Sequence, residues 1–214
     1  MKSFFVFALS LLPALYSMAQ TGKKTRFRVL AGPAYITKTN LTNFSMGTGW
    51  GVYNRYEKAT VGISVQAMAS FYLAKSLRLN TGIVLDTKGF TAKGSGPGPN
   101  DGPVSYQYQV TGGYLGIPLS LEASLLSHKK FQLSIDAGLL EQWKIFSSKN
   151  GTDLAKNQLS LTGGFYGSLA ASGRKILLHP LFRYGLNPFQ GPLIGGPSPN
   201  YHAISIGLEL GYQF

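Results

Sequence analysis

The sequence predicts an all-β protein, an eight-stranded antiparallel up-and-down transmembrane β-barrel, on three observations. Segments in which apolar and polar residues alternate recur from residue 26 to residue 214, and no long segment has helical periodicity. The connections between them run long, short, long, short, long, short, long, the rhythm of a membrane barrel with long loops on one side and tight turns on the other. Inside the segments, nearly every charge sits on the parity opposite the apolar residues.

The chain begins with Lys2, an apolar run from Phe4 to Tyr16, and Ser17-Met18-Ala19 as a small-x-small cleavage site. Residues 1–19 are expected to be a secretory signal peptide and residues 20–214 the barrel domain. Ser10 and Pro13 interrupt the run, which falls short of the roughly 20 apolar residues of a spanning helix. There is no Cys, so stability rests on strand pairing and burial instead of disulfides. The formal charge is +12, from 20 basic and 8 acidic residues. For an exported chain, outer-membrane lipid and lipopolysaccharide are the expected counter-charge, and nucleic acid is not an expected partner.

The first strand is expected from Arg26 to Thr37, with Phe27, Val29, Ala31, Pro33 and Tyr35 on one face and Arg28 on the other. Lys38 to Lys58 is polar and Gly-rich and reads as a loop, with Gly47 to Tyr56 able either to extend the next strand or to add a hairpin above the membrane. Thr60 to Tyr72 alternates cleanly, and the turn Leu73 to Ser76 leads into Leu77 to Thr91, which carries Arg78, Asp86 and Lys88 on its polar face. Gly94 to Pro103 is rich in turn residues and reads as a loop. Tyr106 to Leu125 follows with Glu122 on its polar parity; Pro118 inside it lacks a ladder donor and calls for a bulge or a compensating partner.

After the turn Leu126 to Lys130, the strand from Phe131 opposes Leu133, Ile135, Ala137 and Leu139 to Ser134, Asp136 and Gly138. Glu141 lands on the apolar parity, but past the roughly 9 to 11 residues that cross the hydrocarbon, and is expected outside it. Ser147 to Asn157 reads as a polar loop, Gln158 to Ala171 and Lys175 to Leu186 as strands around a tight turn, and Asn187 to Asn200 as a Gly/Pro-rich loop. Tyr201 to Phe214 closes the chain, with Ile204, Ile206, Leu208, Leu210, Tyr212 and Phe214 on one face and Glu209 on the other.

Alternation does not say which face points inward, and a lipocalin-like soluble barrel with the apolar face inside is the structural alternative. Phe27, Phe71, Phe131, Tyr212 and Phe214 separate the two readings. All share the apolar parity and stand beside the short turns or the termini, as an interfacial girdle does. The expected setting is therefore the outer membrane, with both termini periplasmic. Tyr212 and the final Phe214 resemble the closing-strand signal read by the barrel insertion machinery, an expected partner.

The chain resembles the PorT-like outer-membrane β-barrel family of Bacteroidota. The resemblance lies in RVLAGPAYI (Arg28 to Ile36), LRLNTGIVLDTKGF (Leu77 to Phe90), YLGIPLSLEASL (Tyr114 to Leu125), AGLLEQWKI (Ala137 to Ile145), FRYGLNPF (Phe182 to Phe189) and LELGYQF at the end. It implies an eight-stranded outer-membrane barrel and, by way of one branch of the family, an accessory part in type IX protein secretion with secretion-system proteins as partners.

Eight strands enclose a space that side chains fill. Arg28, Arg78, Glu122, Asp136, Arg183 and Glu209 are expected to form a lumenal charge network, with Glu209 beside Arg28 where the last strand meets the first, and Arg78 beside Glu122 with Asp136 close by. A lipid-modifying enzyme would need a nucleophile, a base and an orienting acid in reach of one another. His128, His179 and His202 are the only histidines, and no such set is evident around them, so no catalytic residue is assigned. No Cys/His cluster, calcium-loop spacing or phosphate loop appears, so neither a metal nor a cofactor is expected. Trp50, Tyr53 and Tyr56, among Arg55 and Lys58, are candidates for a lipopolysaccharide contact or for rim packing. The expected role is structural or interactive.

Overall fold

In the computed structural model, residues 25–38, 43–48, 51–97, 103–128, 130–148, 154–171, 174–188 and 202–214 are described. The expected signal peptide, residues 1–19, and Trp50 lie outside them. The described residues form nine strands: β1 (Arg26–Lys38), β2 (Asn43–Thr48), β3 (Gly51–Tyr72), β4 (Leu77–Pro97), β5 (Pro103–Ser127), β6 (Phe131–Ser147), β7 (Asn157–Ala171), β8 (Arg174–Gly185) and β9 (Ala203–Gln213). Each strand of the sheet is antiparallel to its neighbours, and β1 pairs both with β9 and with β3, which closes an eight-stranded barrel. The ninth strand, β2, pairs only with the part of β3 from Gly51 to Tyr56. Gly47 to Tyr56 thus does both things the sequence allows, lengthening one strand and adding a hairpin at the loop end.

Residues 94–97 and Pro103, within the segment read as loop, are also strand, paired up to Pro97↔Pro103. At 21 and 25 residues, β4 and β5 far exceed the roughly 9 to 11 that cross hydrocarbon, so they project beyond it at the loop end. Stepping from partner to partner round the barrel from Arg28 leads back to β1 at Lys38, the stagger that tilted strands require.

The apolar parity faces outward. Val61, Ile63, Ile83, Leu121, Ile206, Leu208 and Leu210 are exposed on the wall, whereas Arg28, Arg78, Asp86, Glu122, Asp136, Arg183 and Glu209 are buried inside. A barrel in water would reverse this arrangement, because burying so many ionisable groups while wetting the aliphatic ones costs free energy on both counts. Phe27, Phe131, Tyr212 and Phe214 ring the outer wall near the turn end. Phe165 and Phe182 also face outward further along their strands, so the outward aromatics are not confined to the girdle.

Pro118 causes no bulge. The β4–β5 ladder lapses between Thr81↔Leu119 and Val84↔Gly116 and resumes in the same register, while Pro118 keeps its partner Leu140 on the other side. Pro33 and Pro180 leave the same one-sided gap, against β9 and β7 respectively. A residue in an antiparallel ladder turns its N–H and C=O to one neighbour only, so each proline forfeits bonds on one side. The bulges lie elsewhere, between Ala59 and Ser64 against β4, and at Gly113/Tyr114 and Ser124/Leu126 against β6.

Candidate functional site

The lumen is the site the fold defines. Inward positions on eight strands converge on an axis that water barely reaches, so every charge there must find a partner in the protein. Two clusters result. Near the turn end, Arg28 Nη2 donates to Glu122 Oε2 at 2.5 Å, to Ser70 Oγ at 2.5 Å and to Asn80 Oδ1 at 2.7 Å. Arg78 Nη1 donates to the other oxygen of the same carboxylate at 2.9 Å, and Asn80 Nδ2 adds a bond at 3.2 Å. Glu122 therefore serves two guanidinium groups.

Further along the axis the second cluster is a continuous chain. His179 stands between Asp136 (Nε2 to Oδ1, 3.4 Å) and Glu209 (Nδ1 to Oε2, 3.1 Å). Glu209 also accepts two bonds from Gln66, at 2.6 and 2.7 Å, and lies 3.7 Å from Arg183 Nη2. Arg183 Nη1 donates to both oxygens of Asp86, at 2.7 and 2.8 Å. Gln142 Nε2 donates to Asp86 at 2.7 Å, while its carbonyl, with that of Gln158, accepts from Lys88 Nζ. Tyr166 joins the two clusters: its ring stacks on His179 with centroids 3.9 Å apart and lies 4.3 Å beneath the Arg28 guanidinium.

All six charged residues expected in the lumen are there, but the seam pairing is different. Arg28 bonds Glu122, not Glu209. The stagger sets Gln213 opposite Arg28 across the β1–β9 seam and sets Glu209 opposite His179 on β8. Glu209 is therefore several residues nearer the loop end than a flat count suggests. The expected neighbourhood of Arg78, Glu122 and Asp136 does form in register, through Arg78↔Glu122 and Glu122↔Asp136. Asp86, Lys88 and His179 complete the lumen; their parity marked them as inward, but nothing local told which partner each would meet.

Above Lys88 the lining turns apolar. Phe90, Val110, Tyr114, Leu154 and Ala203 form one buried cluster. Leu154 comes from the connection read as a polar loop, and is only 2% exposed. Three bonds hold this strap in the mouth: Lys144 Nζ to the Leu154 carbonyl (2.8 Å), Tyr114 OH to the Ala155 carbonyl (3.1 Å) and Lys144 N to the Lys156 carbonyl (2.7 Å). Leu154, the one large apolar residue of the Ser147 to Asn157 segment, was the available signal for it. Mid-lumen, between Met68, Pro118, Asp136, Tyr166, His179 and Arg183, there is room for about one water.

Both ring nitrogens of His179 face carboxylates, and His202 Nδ1 lies 2.8 Å from the Gly185 carbonyl. Among the described residues, neither of these contacts pairs a histidine with a hydroxyl nucleophile. Among the described residues, no group of three or more His, Asp or Glu side chains is placed to hold a metal ion. The chemistry of the lumen is thus that of mutual charge neutralisation.

An apolar wall around a neutralised polar lumen defines the class, an integral β-barrel of the outer membrane. The sequence profile of the outer membrane protein beta-barrel domain matches residues 18–214, and the chain belongs to that family. No curated protein matches the sequence. Similar solved structures include the outer membrane protein OprG of Pseudomonas aeruginosa, at 11% identity, TM-score 0.46, covering 90% of this chain and 97% of that one. Neisserial surface protein A gives 14% identity and TM-score 0.46 over 88% and 97%, and AlkL gives 16% and 0.47 over 90% and 91%. At such scores these similarities carry nothing about role.

Proposed function

We propose that this is a sealed outer-membrane barrel that acts through its surfaces, as a structural or interaction component, with its termini and short turns on the periplasmic side. The observation that carries this reading is the lumen itself. Four cations, Arg28, Arg78, Lys88 and Arg183, are buried with four carboxylates, Asp86, Glu122, Asp136 and Glu209, and Leu154 fills the mouth above them. A solute passing through would have to break several charge-assisted bonds in a low-dielectric space, each costing about 1.5–3 kcal/mol. The pairing of both His179 nitrogens with acids supports a binding or structural role over lipid-modifying catalysis.

The test is a planar bilayer recording of the purified, refolded barrel. The expected result is a quiet bilayer; steady conductance steps on the nanosiemens scale would overturn the sealed-lumen reading. An accessory part in protein secretion, which the PorT-like resemblance implies, is one form of surface role. A strain lacking the gene, assayed for exported cargo, separates it from a purely structural part: a secretion defect supports the accessory role, and normal export removes it.

A further inference from the structure

The charge balance of the deep lumen does not extend to its turn end. Two further cations share the inward parity there. Arg26 stands opposite Ser70, one inward position before Arg28, and Lys175 stands opposite Gln213, two inward positions before His179. Both are half-buried, and neither is paired with a carboxylate among the described residues. With Arg28 and Arg78 they place four cations around one carboxylate, Glu122, whose oxygens Arg28 and Arg78 already use. Asp136, the next acid along the axis, is turned to His179.

The surplus cations are held together by neutral groups. Tyr72 and Arg78 are cross-strand partners, and the guanidinium groups of Arg26 and Arg78 lie over the same Tyr72 ring, 5.2 and 4.9 Å from its centroid. Arg78 Nη2 donates to Ser124 Oγ at 3.3 Å, Gln132 Nε2 donates to the same oxygen at 3.0 Å, and Lys175 Nζ donates to Gln132 Oε1 at 3.1 Å. This chain ties Lys175 on β8 to Arg78 on β4 across the lumen and neutralises neither. Two charged donors, Arg78 Nε and Arg26 Nη1, are buried with no acceptor in the protein, and Arg78 as a whole is only 5% exposed. A buried charged donor left unmatched is costly, so the cluster calls for acceptor oxygens that carry negative charge.

We infer that the turn-end mouth of the lumen binds a phosphate-type oxyanion, held by Arg26, Arg78 and Lys175. A guanidinium offers paired N–H donors that fit two oxygens of one phosphate, and a tetrahedral dianion has oxygens enough to serve two guanidinium groups and an ammonium together. A single carboxylate brings two oxygens and one charge, which answers less of the surplus. Solvent reaches Arg26 and Lys175, and Ala170, beside Lys175 on the inward parity, is exposed, so the cluster opens to the mouth. Its place inside the barrel selects a free ion or the terminal phosphate of a small molecule over an acidic protein surface. The inference requires only that the charged parity face the lumen. A conducting barrel would leave it standing, and failure to bind phosphate would remove it without touching the sealed-lumen reading.

The test uses the full mature barrel refolded in neutral maltoside micelles and titrated calorimetrically with inorganic phosphate or with glycerol phosphate, in chloride buffer of constant ionic strength. The expected result is saturable binding of at least one probe in the millimolar range or tighter. Binding of inorganic phosphate alone assigns the site to the free ion, and equal or tighter binding of glycerol phosphate assigns it to a terminal phosphate; both support the inference. Affinity should fall by at least about tenfold in the variant combining Arg26→Gln and Lys175→Gln, return in the charge-conserving variant combining Arg26→Lys and Lys175→Arg, and persist in the loop-end control combining Lys58→Gln, Lys93→Gln and Lys156→Gln. Folding of each variant is checked by the mobility difference between boiled and unboiled samples. Because the two Gln substitutions remove cations that no acid balances, that variant should unfold in chloride at a urea concentration no lower than the wild type's, and saturating phosphate should raise the midpoint of the wild type more than that of the variant. Absence of saturable binding to either probe in the wild type, undiminished binding in the Gln variant, or loss of binding in the loop-end control overturns the inference.

Discussion

Glu122 offers the sharpest perturbation, because one carboxylate serves Arg28 at 2.5 Å and Arg78 at 2.9 Å and is 1% exposed. Glu122→Met removes the negative charge and leaves both guanidinium groups in the lumen. Arg28 keeps Ser70 and Asn80 as neutral acceptors, while Arg78 keeps only Ser124 Oγ at 3.3 Å and the Tyr72 ring among its observed contacts. Breaking a buried pair from one side costs about 3–5 kcal/mol, and the poorly compensated Arg78 places this case in that range. With a urea dependence of about 2–3 kcal/mol per molar, the unfolding midpoint in vesicles should fall by about 1–2.5 M. Adding Arg78→Met should restore part of the loss, since it removes the more exposed half of the imbalance. Unfolding of Glu122→Met at the wild-type urea concentration, or additive losses in the double variant, would refute the pairing and leave separately hydrated charges in its place.

The other predictions concern packing, the strap and the outer wall. A Cβ at Gly82 would lie 2.0 Å from the Ala67 carbonyl oxygen, whereas at Gly167 its nearest neighbour is 3.8 Å away. Gly82→Ala should therefore cost about 1–3 kcal/mol or block folding, and Gly167→Ala should be nearly silent, as urea titration of both will report. Tyr114→Phe removes the bond to the Ala155 carbonyl at 3.1 Å, worth about 0.5–1.5 kcal/mol, so tryptic cleavage after Lys156 should accelerate up to about tenfold with the barrel's unfolding unchanged. Glu141 stands on the outward face between Ile117 and Leu159, so Glu141→Leu should be neutral or stabilising by up to about 1 kcal/mol in vesicles, the opposite of Glu122.

What the sequence makes legible follows from periodicity. Side chains of a strand alternate strictly, so Arg28, Asp136 and Glu209 fall on the face opposite the apolar residues, and the aromatic girdle makes that face the inner one without a single contact being known. Neighbouring strands joined by a short turn keep countable register, which is why Arg78, Glu122 and Asp136 come together as expected. The seam is different, because β1 and β9 are joined by no turn and their offset is the accumulated stagger of all the strands. That is where the count failed and Glu209 found His179 instead of Arg28. Leu154 was hidden for another reason: its burial depends on a loop folding back into the barrel mouth, a tertiary event without a local period. Pro118 reads as a local cost that calls for a bulge or a compensating partner, and the one-sided loss of ladder bonds is absorbed without a change of register.

The claim on which everything rests is that the apolar parity faces lipid and the charged parity faces a closed lumen. The chain has no cysteine, so single-cysteine labelling reads it directly. Leu208 on the wall and Ser205 in the lumen lie on opposite faces of β9, 48% and 5% exposed. With the barrel in vesicles, Leu208→Cys should react with a membrane-partitioning maleimide and resist a water-soluble one, and Ser205→Cys should resist both until the protein is unfolded. Rapid labelling of Ser205→Cys by the water-soluble reagent, with Leu208→Cys protected from both, would place the apolar face inside and contradict the account.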